Sequence, residues 1–139
     1  MLPAALERTV HDAVTWYLVG VIWLVQLVQY PMFEFLDRAT FVKSHTFHTS
    51  AIGFVVGPPM LMELVLAGSI LWRRPSVPAI CGFLLVVALW GLTFFVMVPL
   101  HERLAKEGFS PGVHRALVHW NWPRTFAWTA RGLIAAFWL

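Results

Sequence analysis

Charge is scarce in this sequence. Only 12% of its 139 residues are Asp, Glu, Lys or Arg, against 59% hydrophobic, where a soluble domain carries about 25% charge. That shortage excludes a water-exposed surface of ordinary composition. With a single cysteine, Cys81, an intrachain disulfide is excluded and the redox compartment is left unread. Strand-like alternation, internal repeats and low-complexity tracts are missing, so no second domain is expected. The start, MLPAALERTVHD, lacks a basic n-region and carries Glu7 and Asp12, which argues against a cleavable signal peptide. A net charge of +3 and a pI near 9.6 arise from few ionisable groups. They point to a basic rim against lipid headgroups and not to nucleic acid.

Long apolar runs are what remains. Residues 49–72, TSAIGFVVGPPMLMELVLAGSILW, contain one formal charge, Glu63. As a helix at ~1.5 Å per residue the run reaches ~36 Å, enough for a ~30 Å hydrocarbon core. Further spans are expected at about 13–35, 77–100 and, shortest, 120–139. The expected fold is all-α: an integral-membrane four-helix bundle in one domain, with an amphipathic segment at 101–119 lying along the surface between spans three and four. The tight turn Arg73-Arg74-Pro75 makes spans two and three antiparallel neighbours. Eight Trp and eleven Phe suit interfacial belts and contacts with lipids or other integral membrane subunits. Connector charges Arg38, Lys43, Arg103, Lys106 and Arg115 outnumber Arg8, Arg73 and Arg74, so the positive-inside rule favours a cytoplasmic His-rich face.

An acid in mid-span must be paired, hydrated or protonated. Arg131, near the centre of span four, is the natural partner of Glu63, with the amides of Gln26 and Gln29 in support. Gly53 and Gly57 form a G-x-x-x-G face for a neighbouring helix. Pro58 and Pro59 remove backbone donors just before the acid. Topology gathers His45, His48, His101, His114, His119, Asn121 and Arg124 at one end and leaves His11 at the other. His45, His48, His101 and His119 are candidate metal ligands through imidazole chemistry, against the reading that they are hydrated residues at headgroup level. No histidine falls in the apolar parts of the spans. This disfavours deep ligation of a haem or pigment within the chain, although His11, His45 or His101 could hold one at the boundary. No particular cofactor is assigned from the sequence.

In order, the chain has Tyr30-Pro31 closing span one, paired histidines, Pro-Pro before Glu63, Pro-Leu-His after span three, and Asn-Trp-x-Arg-Thr opening span four. It thereby resembles small four-span bacterial membrane proteins and is loosely similar to the anthrone-oxygenase-like group. That resemblance implies a bacterial cytoplasmic or intracytoplasmic membrane and raises the prospect of an oxidoreductase, but carries no functional residue across. Two functional expectations follow. The first is an accessory subunit of a larger complex, photosynthetic or respiratory, contributing aromatic and small-residue helix faces. The second is a small membrane oxidoreductase or ligand-binding enzyme acting on a lipophilic quinone or polyketide. Its acid or base would be Glu63, and Arg124 and Arg131 would hold an anionic oxygen.

Overall fold

The computed structural model describes residues 3–138 and is helical throughout, with no strand among them. Four long rods form it: α1 Ala4–Phe35, α2 Phe41–Arg73, α3 Val77–Glu107 and α4 Pro111–Trp138. The breaks between them have local causes. The Asp37 carboxylate accepts from the Ala39 amide at 2.7 Å and turns the chain between α1 and α2. Ser76 caps α3 by accepting from the Ala79 amide at 3.3 Å, with Pro78 in the first turn. α3 stops at Gly108, whose φ of +80° no β-carbon tolerates cheaply. Each rod packs on its neighbours in sequence, and α4 closes the ring against α1, so α1 faces α3, and α2 faces α4, across the diagonals.

Proline shapes the rods without ending them. Pro31 and Pro99 cannot donate to the preceding turn, and each follows a π-helical stretch, Val25–Gln29 in α1 and Thr93–Met97 in α3. In α2 the helix runs straight through Pro58 and Pro59. Pro59 leaves the carbonyl of Val55 without its usual donor, and the Tyr17 hydroxyl of α1 donates to that oxygen at 3.3 Å.

Three expectations are corrected. The spans at 13–35, 49–72 and 77–100 are cores of longer helices: α1 begins at Ala4, α2 takes in Phe41–His48, and α3 runs on to Glu107. Residues 101–119 are not a surface-lying segment but the adjoining ends of α3 and α4, where Leu104, Val113, His114 and Leu117 are buried. The fourth rod exists, yet among the described residues only α1, α2 and α3 are long and apolar enough to cross a membrane. α4 instead concentrates buried polar groups: His114, Asn121, Arg124, Thr125 and Arg131.

The outer walls remain apolar. Phe54 and Trp72 on α2 and Phe95 on α3 are more than four-fifths exposed, far beyond the scattered single side chains normal for a soluble protein. Gly53 and Gly57 do not mediate packing, because a β-carbon at either would meet nothing within 4 Å. Close approach occurs elsewhere. A β-carbon on Gly132 of α4 would lie 3.2 Å from Val19 and 3.4 Å from Trp16 of α1. Gly132→Val should therefore lower thermal stability in detergent by roughly 1–3 kcal/mol through overpacking. Gly57→Ala should change it by less than about 0.5 kcal/mol, and equal losses at the two positions would contradict this packing.

Candidate functional site

Two buried polar centres lie at different depths, separated by a plug of Leu18, Ile22, Met60, Leu89 and Trp128. The first joins all four helices. Glu63 of α2 and Arg131 of α4, both essentially unexposed, approach to 3.0 Å between Oε1 and Nε. His11 of α1 places Nε2 3.4 Å from the same oxygen and accepts from Arg131 Nη2. That acceptance leaves the ring proton on Nδ1, which faces the Asp12 carboxylate at 3.4 Å. Thr15 completes the shell, donating to Glu63 Oε2 at 2.9 Å. Gly82 of α3 makes room for the guanidinium, since a β-carbon there would sit 2.7 Å from Nη1. A turn further along, Glu7 accepts from Ser69 at 2.5 Å and Arg73 at 3.0 Å, tying α1 to the end of α2.

The amides expected to support the ion pair are elsewhere. Gln26 accepts from Asn121 Nδ2 at 2.9 Å, and Gln29 lines a separate groove with Phe33, Phe47 and His48. His11 and Thr15 take their place, one and two helical turns after Glu7. A hydrophilic spacing of four, Glu7-His11-Thr15, is legible in the sequence as one face of α1 once the helix is known to start at Ala4.

The second centre sits at the His-rich end. A cavity of about 330 Å³ opens between the rods, walled by Val25, Ile52, Met60, Met97 and Trp128, among other apolar side chains. Its polar wall is Tyr30, His101 and Arg124, with Thr49 and Thr93 beyond them and exposed Glu102 at the rim. Both π-helical stretches contribute to it, through Val25 and through Thr93 and Met97. Behind the wall, Tyr30 Oη lies 3.0 Å from His101 Nε2, and His101 Nδ1 lies 3.0 Å from His45 Nε2. Phe33 and Phe41 pack on the His45 ring, the latter stacked at 5.5 Å. Asn121 accepts from Arg124 Nη1 at 2.7 Å, and Arg124 also faces the Tyr30 hydroxyl.

Hydrogen-bond accounting gives this chain a polarity. His45 Nδ1 is buried with no partner. A buried N–H left unmade is rarer than an unused lone pair, so that nitrogen is assigned the lone pair and Nε2 the proton. Then His45 donates to His101, His101 Nε2 donates to Tyr30, and the phenolic proton is left to point into the cavity. The reverse polarity would leave an unpaired N–H on buried His45 Nδ1, so the chain presents the phenolic O–H to the cavity as a donor.

The other candidates divide between these centres. Arg131 and Glu63 are absent from the cavity wall, whereas Arg124 is on it. His45, His48 and His101 come together, with ring centroids of His48 and His101 6.2 Å apart, while His119 is exposed and meets only Trp120. No group of three His, Cys, Asp or Glu side chains among the described residues has the arrangement of a metal site. His114 is occupied by the backbone carbonyl of Tyr30 at 2.8 Å. Comparison with family models, curated proteins and solved structures gives no match for the chain.

The ion pair generates a test. Arg131→Gln alone and Glu63→Gln alone should each cost about 3–5 kcal/mol by stranding a buried charge, with the double change recovering at least about 1 kcal/mol relative to their sum. Strict additivity in a denaturation series would show that the two groups are not coupled.

Proposed function

We propose that this chain is an integral membrane protein that binds a lipophilic small molecule and handles a proton on it. The observation that carries the reading is the apolar cavity whose one polar wall is the Tyr30–His101–His45 chain beside Arg124. Lipophilic-ligand sites have this composition: mostly apolar lining with a few convergent polar groups that fix orientation. Membrane insertion is supported by three rods of 32, 33 and 31 residues with apolar outer walls. A rod of that length, ~48 Å at ~1.5 Å per residue, exceeds a ~30 Å hydrocarbon core. Its ends therefore stand at headgroup depth, where the cavity's polar wall lies.

In this reading the roles given earlier to Glu63 and Arg131 pass to other residues. Those two neutralise each other and hold the bundle, while Tyr30, held in place by His101 and His45, is the group that offers its phenolic proton to the bound oxygen, and Arg124 stands beside it. A substrate with a carbonyl or phenolic oxygen, as in a quinone or polyketide, meets both. The accessory-subunit reading retains one observation of its own. The exposed aromatic walls and the uncovered Gly53 and Gly57 positions of α2 are surfaces that this chain alone does not fill.

Extraction into lipid nanodiscs followed by native mass spectrometry separates the two. A lone bundle carrying a small-molecule adduct that disappears in Ala105→Trp, which narrows the cavity, is the expected result. Co-migration with a large complex and no adduct would favour the subunit instead. For the recovered molecule, Tyr30→Phe should weaken binding about tenfold, the ~1.4 kcal/mol of one buried hydrogen bond. An unchanged affinity would remove Tyr30 from the site.

A further inference from the structure

We propose that the cavity's ligand is a single-chain amphiphile with an anionic oxygen head, and that Arg124 is its counter-ion. This deepens the cavity reading and rests on it. The argument starts from charge. Arg131, the other fully buried guanidinium, has Glu63, and Arg73 has Glu7. Arg124 is only 7% exposed, yet none of the ion pairs among the described residues includes it. It donates to neutral Asn121 and faces the neutral Tyr30 hydroxyl, and its Nε is buried with no hydrogen-bond partner. Glu102, the one acid on the cavity wall, is exposed at the rim and forms no ion pair with Arg124. A buried cation without an anion is strongly unfavourable, and the site it lines is open to a ligand.

The neighbouring groups agree. Asn121 presents its oxygen to Arg124 because its Nδ2 is committed to Gln26 Oε1 at 2.9 Å, so the amide orients the guanidinium without neutralising it. Tyr30, by the proton placement above, offers its O–H to the same space. The wall is thus a set of donors with one positive charge, which recognises a carboxylate, phosphate or enolate oxygen and repels an ammonium. The rest of the lining, Leu18, Ile22, Val56, Met97 and Trp128, takes an alkyl chain. At about 330 Å³ the space is at the small end of ligand sites, which run from roughly 300 to 1,000 Å³. It accommodates one chain and a head, not the two tails of a phospholipid.

The test uses the full chain in nanodiscs of neutral phosphatidylcholine, titrated calorimetrically with dodecanoate and with dodecan-1-ol against empty discs. Dodecanoate should bind at least tenfold more tightly than the alcohol. Arg124→Gln should abolish that preference while leaving the alcohol's affinity within about twofold, and Arg124→Lys should keep most of it. Adding phosphatidylglycerol distinguishes the source of the anion: loss of dodecanoate affinity in the native chain but not in Arg124→Gln would show a lipid phosphate reaching the same guanidinium and overturn the single-chain assignment. No competition supports a free amphiphile. Equal binding of acid and alcohol by the native chain overturns the charge assignment and leaves the cavity reading in place. A preference that survives in Arg124→Gln also overturns it. Binding of neither compound overturns both. Should Arg124→Gln not fold, the acid-to-alcohol ratio of the native chain and of Arg124→Lys decides the matter.

Discussion

The ion pair between Glu63 and Arg131 is the constraint on which the rest of the bundle depends. The two residues come from α2 and α4, which face each other across the diagonal and otherwise share little contact. Opposite charges in a dry interior attract far more strongly than at a surface, but each has first lost its water. The structure offsets that loss with groups from the two remaining rods: His11 and Thr15 from α1, and the space over Gly82 from α3. Four helices therefore meet at one point, and their relative heights are set there. Once that height is set, Tyr30 of α1, His45 of α2, His101 of α3 and Arg124 of α4 fall at a common level.

Between the two centres lies a mainly apolar layer, and that layer matters to the chemistry on both sides. Leu18, Met60, Leu89 and Trp128 are each 4% exposed or less, and at their edge Trp23 Nε1 donates to Thr129 Oγ1 at 3.1 Å. Met60 and Trp128 belong to the plug and to the cavity wall alike. The charged centre is thereby kept dry, while the cavity keeps an apolar floor. This division explains why an acid that looks catalytic in the sequence is a structural element: Glu63 is wholly buried with Arg131 and Thr15 as partners, whereas Tyr30 has a partner and faces the cavity.

Much of this was legible in the sequence, and the failures share one origin. Four rods, their order and the complementarity of Glu63 and Arg131 follow from hydropathy and from the rule that charges stranded in an apolar stretch must be met. The gathering of His45, His48, His101 and Arg124 at one end follows from alternating helix direction. What hydropathy could not supply was helix length. Averaging over apolar runs stops a span where polar residues begin, so Glu7, His11, His45, His101 and His114 fall outside the runs that hydropathy marks, although the backbone continues through all of them. Gln26 and Gln29 looked like one inward stripe, but Gln26 is buried against Asn121 while Gln29 lines a groove on the other side of α1. Gly53 and Gly57 looked like a packing motif because spacing reports small size, not what stands opposite.

The wide turns before Pro31 and Pro99 carry a consequence for the geometry of the cavity. A turn that takes in one residue beyond the usual count advances the angular phase of everything after it by about 100°, one residue's share of a 3.6-residue turn. An ideal wheel drawn from the start of α1 would therefore misplace Tyr30, and one drawn from the start of α3 would misplace His101. Both prolines act in the same way on opposite rods, so Tyr30 Oη and His101 Nε2 meet at 3.0 Å because the azimuths of the two rings have been reset together. A single deletion within either stretch would swing one ring out of the meeting while leaving the length and hydropathy of its rod almost untouched.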